Sequence, residues 1–171
     1  MRHLSTKEFK AAKMAVLTVS DTRREENDTS GNYLTGALVE AGHTLADKKI
    51  VIDCLYKIRA IVATWIADDE IEAILITGGT GFTTRDTTPD AVSVLFDKHV
   101  AGFGELFRHV SYQEIGSSTI QSRALAGFAN KTVIFCMPGS TGACRTAWTK
   151  IIKEQMNSTH KPCNFMPHIG V

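Results

Sequence analysis

Short, continuously apolar runs alternate along this chain with longer stretches in which apolar residues recur every three or four positions. Residues 14–19 and 73–77 are the clearest runs, and such runs are typical of strands buried on both faces of a sheet. Residues 45–52 show a weaker strand pattern. The apolar spacing over residues 58–66 indicates an amphipathic helix. Pro89 fits the first turn of another helix, where its missing N–H costs nothing.

Further helices are expected on either side of these elements. Ser30 is predicted to be the N-cap of a helix after the first strand. Helical sequence continues in pieces from Thr88 to about Glu114, and a last helix follows Ser140. The helical pattern stops after Met156, so we expect an irregular tail.

Two more strands are predicted over residues 123–128 and 132–136, and the short link between them predicts a hairpin. One strand should therefore run against the others. Strands that alternate with helices are typical of a layered α/β domain. Right-handed crossovers bring the carboxyl ends of parallel strands to one edge, where ligands bind. We expect the loops that start at Ser20, Gly78 and Pro138 to meet there.

The composition is that of an ordinary globular protein. The 171 residues are 43% hydrophobic and 22% charged with a net charge of +1, which argues against disorder and gives no basic excess for nucleic-acid binding. No signal-peptide core precedes residue 14, and no apolar run is long enough to span a bilayer. We expect a cytoplasmic protein without nucleic-acid or membrane partners. Residues 1–13 would form an extension, 14–156 the domain and 157–171 a tail.

A glycine-rich loop follows one buried strand directly. Its residues Gly78, Gly79, Thr80 and Gly81 let backbone N–H groups approach an anion closely. No Gly-Lys-Ser/Thr follows, so the loop is not a P-loop, and it does not fit the dinucleotide-binding fingerprint. Taken alone, it is equally consistent with a tight turn from strand to helix.

Charged residues after this loop strengthen the ligand interpretation. Arg85 is of a type that pairs with phosphate, and Asp86 is of a type that holds Mg²⁺, which prefers oxygen ligands. Asp90 is interpreted as a residue that complements the following helix dipole. We therefore assign function to Asp86 and a structural role to Asp90.

A second anion site is predicted at the start of the last helix. Pro138, Gly139 and Ser140 lead from a strand into that helix, whose N-terminal N–H groups favour negative charge. A capping role for Ser140 is compatible with this function.

Other polar residues at strand ends are less informative. Ser20 and Asp21 end the first strand, and Asp21 either contacts a ligand or anchors the loop. Asp53 ends the second strand, and its pattern alone favours a surface carboxylate. Ser122 and Arg123 open the hairpin and indicate only a turn and a surface cation.

The four cysteines form no Cys-x-x-Cys pair and are expected to be free thiols. His160, Cys163 and His168 lie near one another in the tail. Their spacing matches no zinc pattern, so we expect a terminal tail there and not a metal site.

Five motifs in a fixed order add a family resemblance. They are Thr18-Val19-Ser20-Asp21, Gly78-Gly79-Thr80-Gly81, Arg85-Asp86-Thr87-Thr88-Pro89-Asp90, Gly102-Phe103-Gly104-Glu105 and Met137-Pro138-Gly139-Ser140. Together they resemble the MoaB/MogA family of molybdenum cofactor biosynthesis proteins, with MoaB-type members nearest, over about residues 15–153. The resemblance implies a three-layer α/β/α sandwich with a mostly parallel mixed sheet that binds molybdopterin, a phosphorylated dithiolene pterin.

The resemblance also implies a reaction and an assembly. MogA-type members join molybdopterin phosphate to AMP from Mg-ATP and release pyrophosphate. Members associate as homotrimers, which MoaB-like ones pair into homohexamers, and other cofactor-biosynthesis proteins are possible partners. The chain would then be a molybdopterin adenylyltransferase with Mg²⁺ and ATP as cofactor and co-substrate.

The family motifs carry over to individual positions. Asp86 matches an aspartate that family enzymes use with Mg²⁺ and ATP, and Asp53 matches a second important aspartate, which favours function over the surface interpretation. The glycine loop at Gly78 matches the phosphate loop, and the segment at Pro138 matches the second loop. Ser122 and Arg123 resemble a pair on the pterin side.

One departure keeps two functions open. Active enzymes tend to have an acidic residue directly after the second-strand aspartate, whereas this chain has Cys54 after Asp53. The chain is therefore either an adenylyltransferase or a protein that binds molybdopterin or a pterin precursor without transferring AMP.

Overall fold

The computed structural model describes residues 7–170 and contains one six-stranded sheet in that range. Its strands are β1 (Lys13–Val19), β2 (Thr44–Val51), β3 (Ala73–Thr77), β4 (Lys98–His99), β5 (Leu125–Ala129) and β6 (Thr132–Met137). The spatial order is β2-β1-β3-β6-β5-β4. The first four strands in this order are parallel, β5 runs antiparallel to β6, and β4 runs antiparallel to β5. The predicted mostly parallel mixed sheet is confirmed.

Helices cover both faces of the sheet. They are α1 (Thr29–Glu40), α2 (Leu55–Ile66), α3 (Thr88–Val92), α4 (Ala101–Ile115), α5 (Thr141–Ala147) and α6 (Lys153–Gln155), and a π-helical segment, Trp148–Ile152, joins the last two. Buried residues of α1, α4 and α5 form one hydrophobic core with the sheet. Buried residues of α2 and α3 form a second core on the opposite face. This arrangement is the predicted α/β/α sandwich.

The central strands are apolar on both sides because each face packs against helices. In β3, Leu75 belongs to the first core, whereas its neighbours Ile74 and Ile76 belong to the second. All three side chains are fully buried. The continuous apolar runs in the sequence are therefore explained by two-sided burial.

The predicted hairpin joins β5 to β6 through two residues. Asn130 and Lys131 have φ angles of 44° and 64°, the left-handed conformation that two-residue hairpin turns need at both central positions. The hairpin reverses the chain and places β5 antiparallel at this side of the sheet.

The predicted cap of the first helix is wrong. Asp28, not Ser30, is the N-cap of α1, and its carboxylate accepts a hydrogen bond from the Gly31 N–H at 3.0 Å. Asp28 also accepts from the Thr18 hydroxyl at 2.9 Å, and Lys48 Nζ lies 3.4 Å from the carboxylate. These contacts come from two neighbouring strands, and they allow the carboxylate to be fully buried.

The last part of the described chain returns to the first core. Phe165 packs its ring against Phe128 and Phe135, and Ile169 is buried. The only regular element after residue 156 in the described range is the 3₁₀ turn Met166–His168. The domain boundaries given by the sequence remain a prediction.

No helix within residues 7–170 combines the length and the apolar character needed to cross a membrane.

Candidate functional site

A cavity of about 440 Å³ lies at the carboxyl edge of the parallel strands. The loops after β1, β3 and β6 border it, and α4 with the following 3₁₀ helix, Gly116–Gln121, forms the far wall. Four predicted site residues lie off the wall: Asp21, Asp53, Arg85 and Arg123. The others line it: Ser20, Gly78, Gly79, Thr80, Gly81, Asp86, Ser122, Pro138, Gly139 and Ser140.

The glycine loop has a backbone shape that side chains would prevent. Gly78 has φ = 105°, and a Cβ there would lie 2.1 Å from the Val19 carbonyl oxygen. Gly79 has φ = 68°, and its Cβ would lie 2.3 Å from the Thr88 hydroxyl oxygen. The Gly78 N–H donates to the Met137 carbonyl at 3.0 Å, so this amide joins β6 and is not offered to a ligand.

Asp53 lies beneath the loops instead of on the surface that its pattern predicts. It is 7% exposed, and its Oδ1 accepts hydrogen bonds from the Thr87 hydroxyl at 2.6 Å and the Thr87 N–H at 3.1 Å. Its own N–H donates to Asp21 at 3.0 Å. Residues more than thirty positions away therefore bury this carboxylate, and the surface interpretation is wrong.

Asp21 and Arg85 form an ion pair beside Asp53. The Arg85 Nε and Nη2 atoms donate to the two Asp21 oxygens at 2.9 and 2.7 Å. Hydrogen bonding from Arg85, and then from the Asp53 N–H, lowers the pKa of the Asp21 carboxyl. Asp21 thus anchors its loop, and Arg85 is paired with a carboxylate and lies off the cavity wall.

Asp86 is the carboxylate on the cavity wall within the described chain. Its Oδ2 accepts from the Thr83 N–H at 2.9 Å and the Thr83 hydroxyl at 2.6 Å. Burial acts to raise the pKa of Asp86, but the hydrogen bonds from Thr83 and Gly81 and the charge of Arg123 outweigh it, so the pKa is lowered. Asp86 therefore presents a negative charge to the cavity at neutral pH.

Arg123 holds the segment that carries Asp86. Its guanidinium donates to the Gly81 carbonyl at 2.9 Å, the Asp86 carbonyl at 2.6 Å and the Asp90 carboxylate at 3.1 Å. The exposed Phe82 ring lies 5.6 Å from the guanidinium carbon. Arg123 thus closes the loop between β3 and α3, and Asp90 is its ion-pair partner.

The last helix begins at the cavity as the sequence predicts. The Ser140 hydroxyl accepts from the Ala143 N–H at 3.1 Å and is the N-cap of α5. Behind this turn, Cys144 Sγ contacts the Thr77 hydroxyl at 3.1 Å. Burial raises the pKa of the Cys144 thiol to about 11, so this cysteine stays protonated and is a packing residue.

Sequence patterns do not identify two parts of the wall. Arg23, in the loop after β1, lines the cavity, yet its sequence signal does not differ from that of the adjacent Arg24. Phe107 and Ser111 of α4 and Gln121 of the 3₁₀ helix also line it. Only the tertiary packing of α4 brings these residues to the edge of the sheet.

The described residues show no cluster of metal-binding side chains. Within residues 7–170, no group of three or more His, Cys, Asp or Glu side chains is arranged to hold a metal ion. The tail residues His160, Cys163 and His168 thus form no such group. A Mg²⁺ shared by Asp53 and Asp86 stays a prediction.

Comparison with known proteins defines the class of protein first. Residues 15–158 match the family model described as "Probable molybdopterin binding domain". Because the match spans most of the chain, this chain belongs to that family, and the resemblance deduced from the five motifs is confirmed.

Individual relatives identify the type of protein within this family. The chain is 56% identical over 169 residues to Molybdenum cofactor biosynthesis protein B of Escherichia coli (strain K12), with 99% of each covered. It is 46% identical over 142 residues to the protein of that name from Bacillus subtilis (strain 168), covering 82% of this chain and 84% of the relative. A crystal structure of a Molybdenum cofactor biosynthesis protein B superposes with a TM-score of 0.83 at 45% identity, covering 86% of this chain and 92% of the other. The chain is thus a molybdenum cofactor biosynthesis protein of the MoaB/MogA type.

Proposed function

We propose that this chain binds molybdopterin in the cavity and transfers AMP to it from Mg-ATP. The observation that carries the proposal is that Asp86, whose carboxyl pKa is lowered, lines the same cavity as the glycine loop and the N-cap of α5. The pathway is that of its relatives, which are named for molybdenum cofactor biosynthesis.

The reaction balances without a catalytic base. An oxygen of the molybdopterin phosphate forms a bond to the α-phosphorus of ATP, the bond from the α-phosphorus to the bridging oxygen breaks, and pyrophosphate leaves. The attacking phosphate is already an anion, so the chain needs mainly to align two negatively charged groups and balance their charge. The glycine loop and the Ser140 turn are suited to position phosphates.

The residues present fit a magnesium ion carried with ATP. Hard divalent cations prefer carboxylate oxygens, and the lowered pKa of Asp86 keeps such a group ionised. Asp86 would hold the ion, which supplies charge neutralisation to the triphosphate when bound. Asp53 supports the Asp86 segment through Thr87.

A turnover assay with purified protein, molybdopterin and Mg-ATP tests the proposal. We expect Mg²⁺-dependent formation of adenylylated pterin and pyrophosphate, and Asp86→Asn should lower the rate about 100-fold or more because a preorganised charge is lost. Asp69→Asn, at an exposed position, is the matched control and should leave the rate unchanged. Undiminished turnover in Asp86→Asn would overturn the role of that residue.

A binding protein without transferase activity is the second candidate. Two features favour it: Cys54 follows Asp53 where active enzymes tend to have an acidic residue, and Thr87 engages Asp53 Oδ1. It predicts that calorimetry detects molybdopterin binding, that ATP binds weakly with or without Mg²⁺, and that the turnover assay yields no product.

Assembly and location belong to the same proposal. We expect a homotrimer or a homohexamer in the cytoplasm, with the small-molecule pterin and nucleotide as ligands and other cofactor-biosynthesis proteins as further partners.

A further inference from the structure

Arg23 is the cationic residue on the cavity wall within residues 7–170. Two other arginines near the loops were the candidates from sequence, and both are engaged elsewhere. Arg85 is paired with Asp21 through two hydrogen bonds. The Arg123 guanidinium donates hydrogen bonds to two backbone carbonyls and to the Asp90 carboxylate. Arg23 is therefore the one Lys or Arg residue that lines the cavity in the described range, and no motif identifies it.

The loop that carries Arg23 is ordered by its own hydrogen bonds. The Ser20 hydroxyl accepts from the Thr22 N–H at 3.2 Å and the Arg23 N–H at 3.0 Å. The Arg23 guanidinium donates to the Asn27 carbonyl, and the Asn27 side chain accepts from the Arg24 N–H at 2.7 Å. The backbone of Arg23 is thus fixed relative to β1 before any ligand binds.

The guanidinium of Arg23 keeps capacity for an anion. Arginine has five N–H donors, and the Asn27 carbonyl engages one of its terminal nitrogens. In the described part of the chain, Arg23 has no ion pair with an Asp or Glu, unlike Arg85 and Arg123. Its remaining donors suit the two-pronged contact that arginine makes with phosphate oxygens.

We propose that Arg23 recognises a phosphate group of the ligand in the cavity. This is the role that the sequence predicts for Arg85. The proposal rests on the proposed function only in so far as the ligand is phosphorylated. The phosphate has two possible sources with the same chemistry, the monoester of the pterin and the triphosphate of the nucleotide. Recruiting Arg85 instead would require breaking its contact with Asp21, whereas Arg23 requires no such exchange.

Calorimetry on purified full-length protein tests the proposal with three probes: inorganic pyrophosphate, ATP and molybdopterin. Arg23→Gln should weaken pyrophosphate binding and that of at least one other probe by about 10-fold or more, as expected for a lost charge-assisted hydrogen bond. Arg24→Gln is the matched control and should bind all three like the wild type. Arg23→Lys should recover part of the affinity, because it keeps the charge but not the fork.

The outcomes separate the sources and the two proposals. When pyrophosphate binding is weakened, an accompanying loss for ATP but not molybdopterin places the nucleotide phosphates at Arg23, and an accompanying loss for molybdopterin but not ATP places the pterin monoester there. Binding within twofold of the wild type for every probe in Arg23→Gln overturns the inference, as does a wild type that binds none of them. If the protein shows no turnover but its pyrophosphate binding depends on Arg23, the inference holds and the transferase proposal fails. If Arg23→Gln turns over and binds the probes normally, the transferase proposal holds and the inference fails. Matching thermal unfolding of the variants excludes misfolding.

Discussion

His43 is a buried imidazole between the start of β1 and the last helix. Its side chain accepts the Ala12 N–H at Nδ1, at 3.0 Å, and its ring contacts those of Phe9 and Trp148. Desolvation lowers the pKa of His43 from 6.5 to about 4. The folded state therefore requires the neutral imidazole, since protonation would remove the acceptor for Ala12.

This requirement predicts a loss of stability in mild acid. Below about pH 6.5 His43 binds a proton in the unfolded chain, whereas in the folded chain it stays neutral down to about pH 4. The free energy of unfolding therefore falls as the pH falls through this window. Above the window His43 does not affect it. We expect a loss of about 2 kcal/mol between pH 7 and pH 4.5 from this residue, measured by urea denaturation. His43→Asn, which keeps an acceptor, should reduce the pH dependence, whereas the exposed His109→Asn should not. Equal slopes in all three proteins would contradict the assignment.

Among the site residues, those with local partners could be placed from the sequence and those with distant partners could not. Ser140 caps its helix through Ala143, three residues on, and could be predicted. Asp53 could not be placed by its pattern, because its partners Asp21 and Thr87 are distant in sequence. Arg23 has no local feature that separates it from Arg24, and only its position on the cavity wall does so.

The glycine loop shows how one element constrains its neighbours. A Cβ on Gly79 would lie 2.3 Å from the Thr88 hydroxyl oxygen and 2.5 Å from Asp53 Oδ2. The loop, the start of α3 and the end of β2 thus approach one another too closely for any side chain. The close approach accounts for a glycine at this position, in addition to its positive φ.

Gly79→Ala should therefore destabilise the protein by at least about 2 kcal/mol. The loss has two causes: alanine is strained in the left-handed conformation, and its Cβ would displace Asp53. Chemical denaturation measures this loss. Gly142→Ala is the matched control, because a Cβ there meets nothing within 4 Å, and it should be neutral or stabilising by about 0.5–1 kcal/mol in a helix. Equal stability of the two variants would show that the loop relaxes freely.

Elements were predictable when their patterns were long enough. The buried strands β1 and β3 and the helix α2 follow directly from apolar spacing. The strand β4, Lys98–His99, has two residues and is defined by pairing with β5, so it carries no pattern of its own. It lies within the stretch from Thr88 to about Glu114, for which the sequence predicts only discontinuous helix.

At the scale of the whole molecule, the sheet topology determines where the cavity forms. The parallel order of β2, β1, β3 and β6 brings their carboxyl ends together, and this could be predicted from alternating strands and helices. The position of the far wall could not be predicted, because α4 comes from a region whose sequence shows only a helical pattern in pieces. Its contribution depends on how the helix crosses the sheet.

The number of subunits in the assembly is also predicted for the whole molecule. We expect sedimentation equilibrium to give a mass of three or six times the 18.7 kDa chain, as the family resemblance implies. The described surface exposes several large apolar side chains, Leu106 and Tyr112 of α4 among them, which is consistent with burial between subunits. A mass that stays at that of one chain at micromolar concentration would contradict this expectation.

The contacts that run from Arg85 through Asp21 and Asp53 to Thr87 tie three loops together in series. Loops joined in this way lose their conformational entropy once, when the protein folds, and not again on each encounter with a ligand. The cavity is then preorganised, and contacts with the ligand can be expressed as affinity. By the same logic, substitutions at Asp21 and Asp53 should not be additive, because either one releases the same set of loops.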